Sequence, residues 1–338
     1  MRFQDRYSRQ VLFPGIGEEG QKKLAQARVA IVGCGATGTS VSSLLVRAGV
    51  GHVLIIDRDF VEPSNLQRQS LFDEADAAES LPKAVAGARK LASFNSDVQV
   101  QGEVADLTTE NIERLLGSAD LVLDATDNFE TRYLINDFAV KNSKPWIYAA
   151  AVAAYGVTMN IIPGETACLA CVFPAPPEGP VETCDTAGIL NSAVNLVGSI
   201  QATEALKFFV GAREQLRRSL LSFDLWRNDR AEVAAARPRP ECQTCGKREF
   251  THLTGRQRAP VTLCGRDAVQ IHERHRPVDF AELSLRLQPH GQVKHNDYVL
   301  RFLRDPYEMT LFPDGRAIIK GTSDTAVARS LYARFVGS

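Results

Sequence analysis

Uninterrupted apolar runs alternate with amphipathic stretches through the first half of the chain. Arg28–Val32 is apolar at every position but its first, the pattern of a strand buried on both faces. His52–Ile56, Leu121–Ala125 and Trp146–Ala149 repeat it, and Val98–Val100 is a shorter strand. Helical spacing predicts helices over Gly17–Ala25, Gly38–Ala48, Pro82–Phe94 and Thr109–Leu116, with Asn128 opening another. Thr108 stands near one N-cap and Gly49 at one C-cap. This alternation predicts an α/β fold with a Rossmann-like open sheet, mostly parallel. After Gly156 the pattern changes. Val157–Ile162 and Leu220–Leu225 are expected as an antiparallel extension, separated by a Pro/Gly-rich crossing (Pro174–Pro180) and a helix over Ala193–Val210. Pro238–Pro240 marks a boundary, so residues 1–250 read as one domain. Residues 258–338 read as a small α+β module. Its clearest parts are the hairpin Thr310–Phe312, Pro313-Asp314-Gly315, Ala317–Lys320 and a closing helix, Ser323–Phe335.

Composition narrows the classes. The 338 residues are 44% hydrophobic and 23% charged, with 39 basic against 40 acidic side chains and a net charge of -1. A balance of this kind gives no electrostatic reason to expect nucleic acid or an anionic membrane as partner. No apolar run approaches the ~20 residues that span a bilayer, and the charged start Met1-Arg2-Phe3-Gln4-Asp5-Arg6 has no signal-peptide core. A cytoplasmic enzyme is expected. The seven cysteines include two CxxC pairs, which in a long chain suggest metal ligands or catalysis in a reducing compartment.

Two motifs carry the chemistry. Gly33-Cys34-Gly35-Ala36-Thr37-Gly38 follows a strand and opens a helix, and Asp57 ends the next strand. That is the context a nucleotide-binding glycine turn needs. Glycines let the backbone approach a phosphate, the helix N-terminus adds partial positive charge, and the acid accepts from ribose hydroxyls. Asp57, Asp59 and Asp127 fall at carboxyl ends of strands, and Asn65, Arg68, Gln69 and Lys83 follow closely. An acid for magnesium with an Arg and a Lys for phosphates suits a triphosphate better than a hydride donor. No GxxxxGK[ST] loop is present. An NAD-dependent oxidoreductase remains the alternative, using only the glycine turn and Asp57. The second motif is Cys168/Cys171 with Cys242/Cys245, four thiolates expected to hold one structural zinc and staple the segment between them. Cys184, after the Pro/Gly-rich crossing, is a thiol on a loop; from composition alone an inert packed cysteine is the simpler reading. Cys34 reads as a small packing residue, and Cys264 carries no assignment.

Taken together, Arg6-Tyr7-Ser8-Arg9-Gln10, the glycine turn, Asp57-Arg58-Asp59, Ser64-Asn65-Leu66-Gln67-Arg68-Gln69, Pro82-Lys83, Ala125-Thr126-Asp127-Asn128, both CxxC pairs and Thr183-Cys184 occur in an order that resembles the ThiF/MoeB/HesA family, bacterial relatives of the ubiquitin-activating enzymes. The resemblance covers about residues 5–248. The module with Leu263-Cys264-Gly265-Arg266 and Asp314-Gly315-Arg316 resembles the tail of Bacillus-type members rather than a rhodanese domain. One departure is the glycine turn, usually GxGGLG in the family, which here carries Ala36 and Thr37. The resemblance implies ATP-dependent adenylylation of a ubiquitin-fold sulfur carrier at its C-terminal Gly-Gly carboxylate, for thiamine rather than molybdenum-cofactor biosynthesis because of the tail. It implies Lys83 and Arg68 on the phosphates, Asp127 on Mg²⁺, Asp57 on the ribose, and Asp59, Asn65, Gln69 and Asn128 around the nucleotide with Gly33, Gly35 and Gly38. Arg9 is implied to reach ATP in the other subunit of a homodimer. Cys184 matches a cysteine that in some members forms an acyl-disulfide with the carrier, which adds a sulfur-donor protein as a further expected partner. A non-catalytic carrier-binding scaffold is a third reading, against which the full set of charged residues argues.

Overall fold

The computed structural model describes residues 6–175, 183–254, 262–263, 268–271 and 278–336. The chain divides into two compact units, Met1–Arg256 and Gln257–Ser338. The first is built on an eight-stranded sheet in the order β3-β2-β1-β4-β5-β6-β7-β8. These are β1 Arg28–Val32, β2 His52–Asp57, β3 Gln99–Val104, β4 Leu121–Asp124, β5 Trp146–Val152, β6 Tyr155–Ile161, β7 Ser219–Asp224 and β8 Asp229–Ala234. The first five run parallel, and the sheet turns antiparallel from β5 onwards.

Both faces of the parallel half are covered, which is why its strands read as continuous apolar runs. On one face the helices Ala36–Ala48, Lys83–Phe94 and Asn191–Val210 pack over Val29, Ile31, Ile55, Leu121 and Leu123. On the other, the helices Ile112–Leu116 and Phe129–Lys141 and the cysteine-bearing segments pack over Ala30, Val32, Ile56, Val122 and Trp146. The antiparallel half ends in β8, whose six residues are all exposed. Its sequence, Asp-Arg-Ala-Glu-Val-Ala, shows no alternation, and the strand is held through backbone pairing to β7.

Several boundaries differ from the sequence expectation. The glycine-turn helix begins at Ala36 rather than Gly38, with Gly35 as N-cap. The 109–116 segment is helical only from Ile112, because Thr108 and Asn111 engage the backbone of the preceding turn. The long helix starts at Asn191, two residues before the expected Ala193. The Pro/Gly-rich crossing falls largely on 176–182, outside the described residues.

The second unit is a six-stranded antiparallel sheet with two helices, Phe280–Leu287 and Thr325–Phe335, around its own apolar core. The 310–320 hairpin is its centre, with Gly315 at φ 84° closing the turn. The remaining strands, short and poorly alternating, are visible only in the structure. Cys264 lies outside the described residues.

Candidate active site

The parallel strands deliver the glycine turn and its acids to one edge. Val32 faces Ile56 on one side and Asp124 on the other, so Gly33, Asp57 and Ala125 leave the sheet side by side. Gly33 and Gly38 are required by packing. Gly33 has φ +98°, and a Cβ there would lie 2.5 Å from the Ala125 carbonyl oxygen; a Cβ on Gly38 would lie 2.0 Å from the Gly33 oxygen. Gly35 is different. The nearest atom to a Cβ there is Gln69 Nε2 at 3.9 Å, so the turn opens onto space at the N-terminus of a 13-residue helix. Gln69 is buried, and its Oε1 has no partner among the described residues. An open backbone cradle and a helix N-terminus form a place for a phosphate group, and the unsatisfied Gln69 oxygen beside them can accept from a ligand hydroxyl or amino group.

Asp57 sits behind this cradle. Its Oδ2 accepts from the Cys34 N–H at 2.6 Å and its Oδ1 from the Asp59 N–H at 2.7 Å. A carboxylate has about four acceptor sites, so lone pairs remain for ribose hydroxyls. Burial pushes the Asp57 carboxyl up, the Lys83 ammonium draws it back, and Asp59 adds to the rise. Lys83 is itself buried at the first turn of its helix, with Nζ 3.4 Å from Asp59 Oδ2. Arg68 lies on the neighbouring turn, donating to the Ser64 carbonyl at 2.8 Å. Asn65 closes that turn, its Oδ1 accepting from the Glu62 N–H, and Asn191 ties its own helix to the Gln67 carbonyl.

Asp127 follows β4 and is exposed, while Asn128 caps the Phe129–Lys141 helix by accepting from the Thr131 N–H at 2.9 Å. Between them and the sheet lies a pair that sequence reasoning missed. Asp124 is fully buried and meets Arg132 Nε at 3.2 Å. The one signal for Asp124 was an acid ending an otherwise apolar strand. Nothing in the local pattern singled out Arg132.

Arg9 is not brought to this edge. Its short helix is anchored by buried Tyr7, which accepts from Asn95, and by Gln10, which donates to the Ala48 carbonyl at 2.8 Å. Ala48 ends the helix whose start forms the glycine turn. At ~1.5 Å per residue that anchor lies about 18 Å from the turn.

Cys184 opens a short helix, Cys184–Ala187, rather than lying on an open loop. Its half-buried thiol donates to the Ala151 carbonyl at 3.8 Å, and Thr183 and Thr186 cap each other reciprocally. Ala151 belongs to the carboxyl end of β5, the same edge as Asp127.

Away from this edge, Cys168, Cys171, Cys242 and Cys245 bring their sulfurs within 4.8 Å of one another, with separations of 3.8 Å for Cys168–Cys171, 3.6 Å for Cys168–Cys242 and 3.3 Å for Cys171–Cys245. A tetrahedral Zn–S site of ~2.3 Å bonds has edges of about 3.8 Å, so the donor set fits zinc. The hydrogen bond between Cys168 and Cys171 pushes the first thiol up and pulls the second down to about 2. Sulfurs this crowded cannot all ionise unless a cation shares their charge.

The ThiF family model matches residues 7–244. The chain belongs to the ThiF family. It is 48% identical to the sulfur carrier protein ThiS adenylyltransferase of Bacillus subtilis, an alignment covering 98% of this chain and 99% of that protein. A sulfur carrier protein adenylyltransferase of Thermus thermophilus is 40% identical over 72% of this chain and 90% of its own. Among solved structures, Escherichia coli MccB with ATP superposes at a TM-score of 0.62 with 25% identity, covering 71% of this chain and 74% of that one. As a ThiF-family chain it departs from the usual GxGGLG turn without losing it: Ala36 starts the helix and Thr37 is buried beneath it.

Proposed function

We propose that this chain is a ThiS-type sulfur-carrier adenylyltransferase. It activates the C-terminal Gly-Gly carboxylate of a ubiquitin-like carrier with ATP. The observation that supports the reading is the sheet edge where Asp57 and the Lys83–Asp59 pair stand behind the open face of Gly35, with the unpaired Gln69 side-chain oxygen beside it and Arg68 and Asp127 on the adjoining segments. The near full-length likeness to the Bacillus subtilis enzyme includes the second unit and favours a thiamine-type carrier over a molybdenum-cofactor one. We take residues 1–250 as the adenylylating domain and 258–338 as its appended module.

In this reading one carboxylate oxygen of the carrier tail attacks the α-phosphorus of ATP. A new P–O bond forms, the α,β-bridging P–O bond breaks, and pyrophosphate leaves with the electron pair. The product is a carrier acyl-adenylate. The protein's task is to position two anions and to offset their charge. Lys83 and Arg68 face the phosphates, the glycine turn and the helix N-terminus cradle them, Gln69, Asn65, Asp59 and Asn128 shape the pocket, and Asp57 holds the ribose. Mg²⁺ accompanying ATP would be held by Asp127, and it supplies charge neutralisation on the phosphates. Zinc in the four-cysteine cluster is structural. Arg9 acts on the partner protomer of a homodimer, which fits an anchor far from its own glycine turn. Cys184, at the same edge, is placed to hold the carrier after AMP leaves, with a sulfur-donor protein as the next partner. Zinc-ligating cysteines and a thiol at the site suit a reducing cytoplasm. Among the described residues no helix is long and apolar enough to cross a membrane. Hydride transfer on NAD would use Asp57 and the glycines but leave Lys83 and Asp127 without work, and a passive scaffold would need none of them.

The test is pyrophosphate–ATP exchange with carriers ending in Gly-Gly. Exchange is expected with a ThiS-type carrier and not without one. Lys83→Met, which keeps the buried stem, is expected to slow it by roughly 10²–10³-fold while the protein stays folded. Turnover with NAD, and none with ATP plus any carrier, overturns the reading.

A further inference from the structure

The Phe129–Lys141 helix sends one charged side chain back under the strand ends. Arg132 has a side-chain exposure of 6%, and its partner Asp124 one of 0%. A buried ion pair of this kind contributes little net stability compared with apolar residues of the same volume, because desolvation opposes the attraction. Its geometry, however, does something specific. Asp124 Oδ1 accepts both the Thr126 N–H at 2.9 Å and the Thr126 hydroxyl at 2.7 Å. Arg132 donates through Nη2 to the Thr126 carbonyl and, at 3.4 Å, to the Ala149 carbonyl of β5. The guanidinium lies 5.3 Å from the Phe129 ring centroid and 5.4 Å from that of Tyr148, which limits its other directions. Gln201 holds the Asp124 carbonyl from the long helix at 2.8 Å. On the far side Asn128 is locked as an N-cap. Thr126 is thus gripped at its N–H, its hydroxyl and its carbonyl. The residue between the two clamps is Asp127, whose exposed carboxylate takes none of the hydrogen bonds of the clamp and lies within electrostatic reach of Arg132 and Arg58.

We propose that Arg132, acting with Asp124 through Thr126, is the positioning residue that aims Asp127 at the magnesium of bound ATP. The inference rests on the assignment of Asp127 made above. It accounts for a buried guanidinium with a forked set of partners on β4, the loop that follows it and β5, where a lysine could supply only a point charge.

The experiment is calorimetric titration of ATP into the purified full-length protein at a series of Mg²⁺ concentrations, with no carrier present, alongside thermal unfolding. Arg132→Lys is expected to leave metal-free ATP affinity near wild type and to raise the Mg²⁺ concentration needed for tight binding by about tenfold. Thr126→Val, which removes only the hydroxyl, is expected to shift it in the same direction by a smaller factor and serves if Arg132→Lys does not fold. Asp127→Asn is the reference. If Asp127→Asn impairs the Mg²⁺ response while Arg132→Lys and Thr126→Val retain it and merely melt earlier, the positioning role is overturned and the Asp127 assignment stands. If Asp127→Asn itself leaves the Mg²⁺ response unchanged, the assignment fails and this inference fails with it.

Discussion

Cys34, Cys168 and Cys184 are the same side chain in three surroundings. Cys34 is fully buried under the glycine turn, and burial with the Asp57 charge beside it pushes its thiol far up, so it is inert. Cys168 belongs to a cluster whose sulfurs are spaced to share one metal ion. Cys184 is half-buried at the site edge. From the sequence, the CxxC spacing separated the cluster from the other two. Cys34 read correctly as packing because it sits between two glycines. Nothing local distinguished a reactive Cys184 from an inert one, since exposure and neighbours come from β5 and the capped turn. Cys184→Ala is expected to keep pyrophosphate exchange near the wild-type rate, because the carrier carboxylate itself attacks phosphorus. Thiocarboxylate formation with the physiological sulfur donor is expected to fall roughly tenfold or more. Equal rates of both steps in the mutant would assign Cys184 to packing, as would a collapse of exchange.

The Phe129–Lys141 helix shows what one element can join. Its first residues carry the N-cap and Arg132 at the nucleotide edge. Its middle carries Asn136, which accepts from the Leu169 N–H at 2.9 Å, and Asp137, which accepts from Thr244 Oγ1 and the His252 N–H. Tyr133 donates to the Phe173 carbonyl and stacks on His252. Both CxxC segments are therefore docked on this helix before any metal is considered. Its start was legible, because Asn128 precedes an apolar-rich run. Its polar inner face was not, because Arg132, Asn136 and Asp137 look like surface residues in a one-dimensional pattern. Elemental analysis of freshly purified protein is expected to give about one zinc per chain. Cys168→Ser is expected to lose it and to lower the melting temperature by about 3–4 °C, the shift made by roughly 2 kcal/mol in a protein of this size. Wild-type protein free of zinc and equally stable would remove the staple.

At the scale of the whole molecule, the placement of Arg9 decides how many chains make one site. A homodimer with Arg9 supplied in trans makes a distinctive prediction. Arg9→Ala and Lys83→Met are each expected to be nearly inactive. Mixed and allowed to exchange subunits at equal concentration, they are expected to recover about one quarter of the wild-type exchange rate, because half of the dimers are mixed and one of the two sites in each is intact. No recovery, with subunit exchange verified by light scattering or tagged pull-down, would place Arg9 in its own chain's site or outside catalysis.

The parallel half of the sheet, the glycine turn, Asp57 and the cysteine pairs were readable along the chain. Each depends on local facts: an apolar run long enough to be covered on both faces, glycines where the backbone must pass another strand, and thiols at ligand spacing. Asp124 with Arg132, the polar edge strand β8 and most of the second sheet were decided only by tertiary structure. A buried charge has no sequence signature until its counter-charge is brought to it, and a fully exposed strand is specified by its neighbour's backbone rather than by its own side chains. The same reason separates the two kinds of site residue. Asp57 and Lys83 were named by motif, whereas the aim of Asp127 depends on Asp124 and Arg132, which bond Thr126 from β4 and a helix and are themselves fixed by Ala149 of β5 and Gln201 of the long helix, elements joined only by the fold.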